Sequence, residues 1–456
     1  MARRKFHSPP QHPLAPVRPG MAPMLVYALG QLGWSLGSFG VGNLLVYFYM
    51  PPEQGDPMFP TFIYQGPVLA VFTLIGIVSA GGRLLDALID PFIANWSDRK
   101  SSVLGKRRWF LLLGALPLAA FGYLVFTPLA PYEKGGNFAW LMLTLGLFYF
   151  FFAFYVIPYT ALIAELGHTE KDRMRISTLL SVTWAIGFIG GNSAYALQSY
   201  FESTGMDSID AFQRSVLILQ SAALVLMLIP ALFLNERRYA RQSDSSHPLG
   251  HALRMVLSNN AFWQFLKADL MYWLALSFIQ LGIGFYTTLL LGLDKSYAFV
   301  FSLTGFVASF LFYWPVNVLA ARGGKQSLLL WGFAFFAAIF ATVFSVRAIP
   351  LPKEILLYGL AVASAFPLAA FGILPNALIG DLVEKQEQAG GERLSGMFYG
   401  VRAFVMKVGI AGANLIFPSL LLFGKSMENP WGVQLTALAA LLFCIAGWMA
   451  FRRFRP

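Results

Sequence analysis

Polar breaks divide the chain into apolar runs of at least 18 residues, near 22–50, 65–97, 109–130, 138–166, 175–200, 213–235, 262–292, 296–321, 327–346, 354–380, 396–424 and 431–451. Runs of this length match the roughly 20 residues that an α-helix needs to cross a bilayer. The pattern predicts an all-α polytopic membrane protein with twelve transmembrane helices. A polar stretch at 236–260 (ERRYARQSDSSHPLGHALRMVLSNN) leaves six runs on either side. The expected organisation is an N-terminal tail (1–21), a six-helix half (22–235), a central loop (236–260), a second six-helix half (261–451) and a short C-terminal tail (452–456).

Composition narrows the class. Of 456 residues 57% are apolar, roughly the 260 positions that twelve helices of about 22 residues require. Charged residues make up 12%, half the share usual for a soluble domain. With a mean hydropathy of +0.62 and 16% aromatics, this excludes a cytosolic enzyme, a disordered chain and a disulfide scaffold. The single cysteine, Cys444, lies inside an apolar run, so no intramolecular disulfide forms.

The net charge of +11 would raise the question of nucleic acid in a soluble protein. Here its distribution gives another meaning. Twenty-three of the 33 basic residues fall in the two tails, the 2–3, 4–5, 8–9 and 10–11 loops and the central loop, and only Lys134, Lys295, Arg347, Lys353 and Lys425 fall on the other side. By the positive-inside rule both termini are expected in the cytoplasm, with the protein in the cell membrane. No nucleic-acid partner is expected. The basic first twenty residues precede a run with no small-residue cleavage site and read as a cytoplasmic tail rather than a secretory signal.

The halves echo one another. Pro91 is followed by Asp98-Arg99-Lys100 and Gly105-Lys106-Arg107-Arg108, and Pro315 by Arg322-Gly323-Gly324-Lys325. A basic, glycine-containing loop after the second run of each half is what a duplicated six-helix transporter unit leaves, and such halves rock about a site near the midplane.

Five basic residues lie within or at the edges of spans: Arg83, Arg214, Lys267, Arg402 and Lys407. The second span ends Gly82-Arg83-Leu84-Leu85-Asp86-Ala87-Leu88-Ile89-Asp90-Pro91, so Asp86 and Asp90 stand one turn apart on one face. A charge in the hydrocarbon layer costs about 2.5–3.5 kcal/mol on insertion scales, and like charges on one face add repulsion. A bound cation, a shared proton, or the basic partners Arg83 and Lys407 would offset that cost. The cluster is therefore either a structural ion-pair network joining the halves or a cation or proton site. At the membrane surface, Asp98, Arg99, Arg107 and Arg108 form a candidate cytoplasmic gate, or an anchor to anionic lipid.

Two motifs are discounted. Gly33-Trp34-Ser35-Leu36-Gly37 matches a hydrolase nucleophile pattern but sits in the first span with no preceding strand. Its glycines, with Gly30 and Gly40, suit close helix approach. His247 and His251 have metal-ligand spacing but no clear third ligand. No structural metal and no cofactor is expected, and no nucleophile–base pair marks an enzyme.

Four segments carry a family resemblance: Gly82 through Pro91; Gly105-Lys106-Arg107-Arg108; Ile157-Pro158-Tyr159 through Glu165 to Asp172-Arg173; and Ile379-Gly380-Asp381 through Gly391-Glu392-Arg393 to Lys407. Over nearly its whole length the chain resembles the glycoside–pentoside–hexuronide:cation symporters of the major facilitator superfamily, the branch of the melibiose permease. It is also similar to the animal sodium-dependent lysophospholipid transporters. The resemblance implies the major facilitator fold of two pseudo-symmetric six-helix halves, and a cation site at Asp86 and Asp90 with Lys407 close by.

The departures from that family matter as much. A polar residue before the second aspartate is here Ile89, and a hydroxyl of the sodium site falls at Ala153. This favours a proton over sodium as the coupling ion, with sodium the alternative. Sugar-binding acids align with Ser38 and Val156, and a stacking tryptophan with Thr160, which argues against a melibiose-like galactoside. Candidate replacements are Tyr47, Tyr159, Trp184, Asn192, Gln280, Tyr286, Trp314, Asn376 and Tyr399. The expected function is proton- or cation-coupled symport of a small organic solute, a sugar or glycoside, by a monomer in the bilayer, through alternating access. The alternative is a lysophospholipid or amphiphile transporter.

Overall fold

A computed structural model describes residues 16–53, 58–100, 102, 104–131, 133–240, 258–388 and 395–454. His247, His251, Gly391, Glu392 and Arg393 lie outside the described residues, as do Arg3, Arg4, Lys5, Arg241, Arg254 and Arg455 among the 23 basic residues of the tails and loops.

Among the described residues twelve helices have 19 residues or more. In the first half they are α1 (Met21–Tyr49), α2 (Leu74–Arg99), α3 (Lys106–Leu124), α4 (Lys134–Leu166), α5 (Glu170–Ser203) and α6 (Ser208–Phe233). In the second they are α7 (Asn260–Phe285), α8 (Ser296–Gly323), α9 (Lys325–Ser345), α10 (Lys353–Gln388), α11 (Ser395–Leu420) and α12 (Trp431–Arg452). Each overlaps one of the twelve apolar runs. Nine are long and apolar enough by composition alone to cross a membrane. The other three are α1, rich in glycine and tyrosine, α2 with its aspartates, and α3, which opens on Lys106-Arg107-Arg108.

The second span starts later than expected. Residues 65–73 form no helix but carry a small hairpin, β1 (Pro67–Val68) against β2 (Phe72–Thr73). Gly66 and Pro67 disfavour a helix there, and Leu69 and Ala70 turn the chain at φ 52° and 66°, a region few side chains adopt. Helix α2 then begins where the Thr73 hydroxyl accepts the Gly76 N–H, an N-cap that satisfies one orphan donor.

Within the first half α1 packs on α5 and α6, and α3 on α4 and α6; within the second α7 packs on α11 and α12, and α10 on α8 and α9. Glycine permits the closest of these approaches. A Cβ on Gly33 would stand 2.7 Å from the Met227 backbone nitrogen and 2.8 Å from the Ala223 carbonyl oxygen of α6. The halves meet along α2 with α11 and α5 with α8, with a smaller contact of α1 with α7. Because the number of long helices is even, the start of α1 and the end of α12 share one face, called here the terminal face.

Candidate substrate and ion site

Helices α2 and α11 bring the buried charges together where the halves touch. Lys407 Nζ lies 2.9 Å from Asp86 Oδ2 and 2.6 Å from Asp90 Oδ2. Asp86 is wholly buried, Lys407 is 11% exposed and Asp90 24%. The i,i+4 spacing read from the sequence lets one ammonium from the other half reach both carboxylates. Arg83, one turn before Asp86, is a looser partner at 3.7 Å. Its guanidinium lies 5.0 Å from the Tyr149 ring centre and 5.9 Å from that of Phe152, which adds cation–π attraction. Two cations then balance two carboxylates, the condition under which charges persist in a poorly hydrated interior. Among the described residues, Asp86 Oδ1 and Asp90 Oδ1 accept no hydrogen bond, and Asp86 Oδ2 is met only by the ion pairs with Lys407 and Arg83.

This cluster forms part of the wall of a cavity of about 520 Å³ between the halves. Of the sequence-predicted site residues, Ser38, Arg83, Asp86, Asp90, Val156, Thr160, Trp184, Gln280, Tyr399 and Lys407 line it. Others do not. Tyr159 pairs with Tyr27: each hydroxyl donates to the other's carbonyl oxygen, at 2.5 and 2.8 Å, and the rings stack at 4.3 Å. Tyr286 is bonded to Thr436 at 2.9 Å and borders a separate apolar void of about 40 Å³. Asn192 is buried against Asn43, Asn376 accepts from Arg402, and Trp314 points outward at 74% exposure. Tyr47 joins Tyr195, Phe285 and, through Phe285, Phe417 in an aromatic plug on the side of the cavity away from the terminal face.

A family model described as MFS/sugar transport protein matches residues 26–451. The chain belongs to this family. It is thus a multi-pass membrane transporter of the major facilitator fold, and not an enzyme. Among relatives, it is 27% identical over 349 residues to a glucuronide carrier protein homolog of Escherichia coli (strain K12), covering 74% of each chain. It is 23% identical to the sodium-dependent lysophosphatidylcholine symporter 1 of Homo sapiens, over 79% of this chain and 70% of that one. A crystal structure of a D-xylose–proton symporter superposes with a TM-score of 0.68 at 13% identity, covering 95% of this chain and 97% of that one, a likeness of fold alone.

Several lining residues of this transporter escaped the sequence reading. Trp34, Asn43, Trp273, Ser277 and Asn414 all face the cavity. Helical spacing held the signal: Trp273, Ser277 and Gln280 fall at i, i+4, i+7, and Asn414 lies two turns beyond Lys407. A second intramembrane pair also went unread. Arg402 Nε and Nη2 each lie 3.0 Å from a carboxylate oxygen of Asp269, which is 4% exposed, while Nη1 donates to Asn376 Oδ1 at 2.6 Å. This bidentate pair ties α11 to α7 and α10 inside the second half.

The candidate gate at the terminal face is a network within the first half. Arg107, 5% exposed, donates to Asp98 and Ser97 at 2.5 Å and to Glu165 at 3.0 Å. Glu236 accepts the backbone N–H groups of Arg107 and Arg108, and the Arg108 side chain donates to the carbonyl oxygens of Ala231 and Leu232. These bonds brace α2, α3, α4 and the end of α6, and Arg99 takes no bond in them among the described residues.

Away from the midplane, the described bonds that join the halves lie at the face opposite the termini. There Lys425 pairs with Glu53 at 2.8 Å and donates to Pro51 O at 3.0 Å. Lys295 pairs with Glu202, and Ser199 donates to Asp294 at 3.0 Å. Burial pushes the Asp294 carboxyl up, but hydrogen bonds from Ser296 and Ser199 and the charge of Lys295 outweigh it and hold it below the ordinary carboxylate range.

Proposed function

We propose that this transporter is a proton-coupled symporter of a sugar or glycoside, working as a monomer in the cell membrane with both termini in the cytoplasm. The observation that carries the reading is the single Lys407 ammonium bridging Asp86 and Asp90 between the halves at the wall of the cavity. In the described state the lysine occupies the carboxylates. Protonation of Asp90, the more exposed of the two, releases Lys407, loosens the α2–α11 contact and favours substrate binding. Loss of the proton inside lets the lysine return. One charge moved down the membrane potential supplies about 2.3 kcal/mol per 100 mV, enough for roughly fifty-fold accumulation.

Proton rather than sodium coupling is supported by the wall beside the carboxylates. Ile89 and Ala153 pack in one apolar cluster with Ile93, Phe110 and Phe154, which offers no neutral oxygen to replace an ion's hydration shell. The cavity volume suits a small solute. Trp34, Trp184 and Trp273 offer aromatic faces, and the Gln280 and Asn414 amides have no hydrogen-bond partner among the described residues, so sugar hydroxyls can take them. The basic residues of the terminal face support its cytoplasmic position, which would put the ion pairs joining the halves on the outer side.

Uptake of glycosides and glucuronides into proteoliposomes under imposed proton or sodium gradients tests this. Accumulation driven by the proton gradient and lost in Asp90→Asn, with exchange retained, is expected. Uptake that needs sodium at fixed pH, or full accumulation by Asp90→Asn, overturns it. A second reading, transport of a lysophospholipid, is favoured by the aliphatic wall of Ala153, Val156, Ile157, Met406 and Ile410, and a lysolipid arm in the same assay separates the two.

A further inference from the structure

The outer surface of the second half carries a feature that the transport site does not use. Helices α8, α9 and α10 enclose a groove of about 730 Å³. Its wall is apolar, with Leu319, Trp331, Phe335 and Val362 each about half exposed and Phe366 at its floor. Arg322 stands where α8 reaches the terminal face. The helix rises about 1.5 Å per residue, so the groove runs roughly 15 Å from the level of Arg322 to that of Phe312, another of its wall residues, the depth of one leaflet's hydrocarbon.

Charge is unbalanced at this end of the groove. Arg322 has no hydrogen bond or ion pair among the described residues, whereas Lys325, three residues on, is committed to both oxygens of Asp381 at 2.6 and 2.7 Å. In the first half Arg107 and Arg108 are bonded and the Glu236 carboxylate sits on their backbone N–H groups, while Arg99 at the end of α2 takes no bond among the described residues. The second half presents a cation at the membrane surface with an aromatic-walled groove leading away from it and, among its described residues, no carboxylate for that cation.

We propose that this groove binds one anionic phospholipid of the leaflet at the terminal face, its phosphate on Arg322 and one acyl chain over Trp331, Phe335, Val362 and Phe366. A phosphate takes a guanidinium in a two-pronged fit, and a chain fills the groove at no cost in polar burial. An anionic lipid is favoured over a zwitterionic one because the latter brings its own ammonium to compete with Arg322.

Native mass spectrometry of the purified full chain, exchanged against equal amounts of phosphatidylglycerol and phosphatidylcholine, tests the proposal. The expected result is preferential retention of one phosphatidylglycerol. Arg322→Gln lowers that preference about tenfold, the weight of one charge-assisted bond, and Arg322→Lys keeps most of it. Val362→Trp fills the groove and lowers retention without altering charge. The proposal is overturned if Arg322→Gln retains phosphatidylglycerol as the parent does, if Val362→Trp has no effect, or if glycerophosphate, which has no chains, displaces the lipid at comparable concentration, since that marks a free-phosphate corner.

Discussion

Replacing Lys407 by methionine keeps a chain of similar length and removes its charge together with the hydrogen bond it donates to Asp90. At 2.9 and 2.6 Å, and at an effective dielectric constant of ~20, the ammonium attracts each carboxylate by about 6 kcal/mol. Desolvation and the repulsion between the carboxylates offset much of this. Removing one partner of a buried pair costs about 3–5 kcal/mol, because the charge left behind is uncompensated. Asp86 is wholly buried and keeps only Arg83 at 3.7 Å, so Lys407→Met should fall near the upper end of that range. The double variant Lys407→Met/Asp86→Asn restores electroneutrality, with Arg83 against Asp90, and should recover more than half of the loss. A protein of two halves need not unfold in one step, so the readout is the order of apparent melting temperatures followed by tryptophan fluorescence: parent highest, double variant next, Lys407→Met lowest. If the double variant melts no higher than Lys407→Met, charge balance is not what holds the cluster, and the reasoning fails.

Three further outcomes follow from other parts of the molecule. Lys295→Ala/Lys425→Ala removes the ammonium groups that tie the halves at the face opposite the termini. It should expose Asn414→Cys, in a Cys444→Ser background, to an impermeant maleimide added from that face, and labelling unchanged from the parent would show that the aromatic plug alone closes it. Since the Asp294 carboxyl lies below its ordinary range, its charge and the stability it contributes are present above the ordinary carboxylate pKa. They are lost only as pH falls through the lower folded value, so that face should stay closed across neutral pH and loosen in acid. Gly33→Val places a Cβ within 2.8 Å of two backbone atoms of α6 that cannot swing aside. It should cost about 1–3 kcal/mol, and an unchanged melting temperature would mean that α1 can move away from α6.

The family resemblance and the distances agree at Asp86, Asp90 and Lys407 because intramembrane charge is scarce and costly, so each instance in the sequence already demands a partner. Asp269 and Arg402 obey the same rule, but they lie on helices far apart in the sequence, and no spacing along the chain pairs them. Only the packing of α7 against α11 paired them. The tyrosines fared worse. Tyr47, Tyr159 and Tyr286 are as apolar in context as Tyr399, but the first three are held inside one half or in the plug, while Tyr399 reaches the cavity.

Twelve long helices, the polar stretch that leaves six apolar runs on either side and the need to pair charge within the spans follow from local rules: run length against bilayer thickness, loop charge, and the cost of a carboxylate in hydrocarbon. Even there the hairpin at 67–73 shows the limit, since an apolar run says how much surface avoids water and not whether its backbone is helical. Which residues line the cavity lies beyond such rules. A helix that is apolar on every side carries no stripe to mark its inner face, so lipid, neighbouring helices and the cavity are indistinguishable along the chain. The inward face of each helix is assigned only when α1, α2, α4, α5, α7 and α11 pack around a common space.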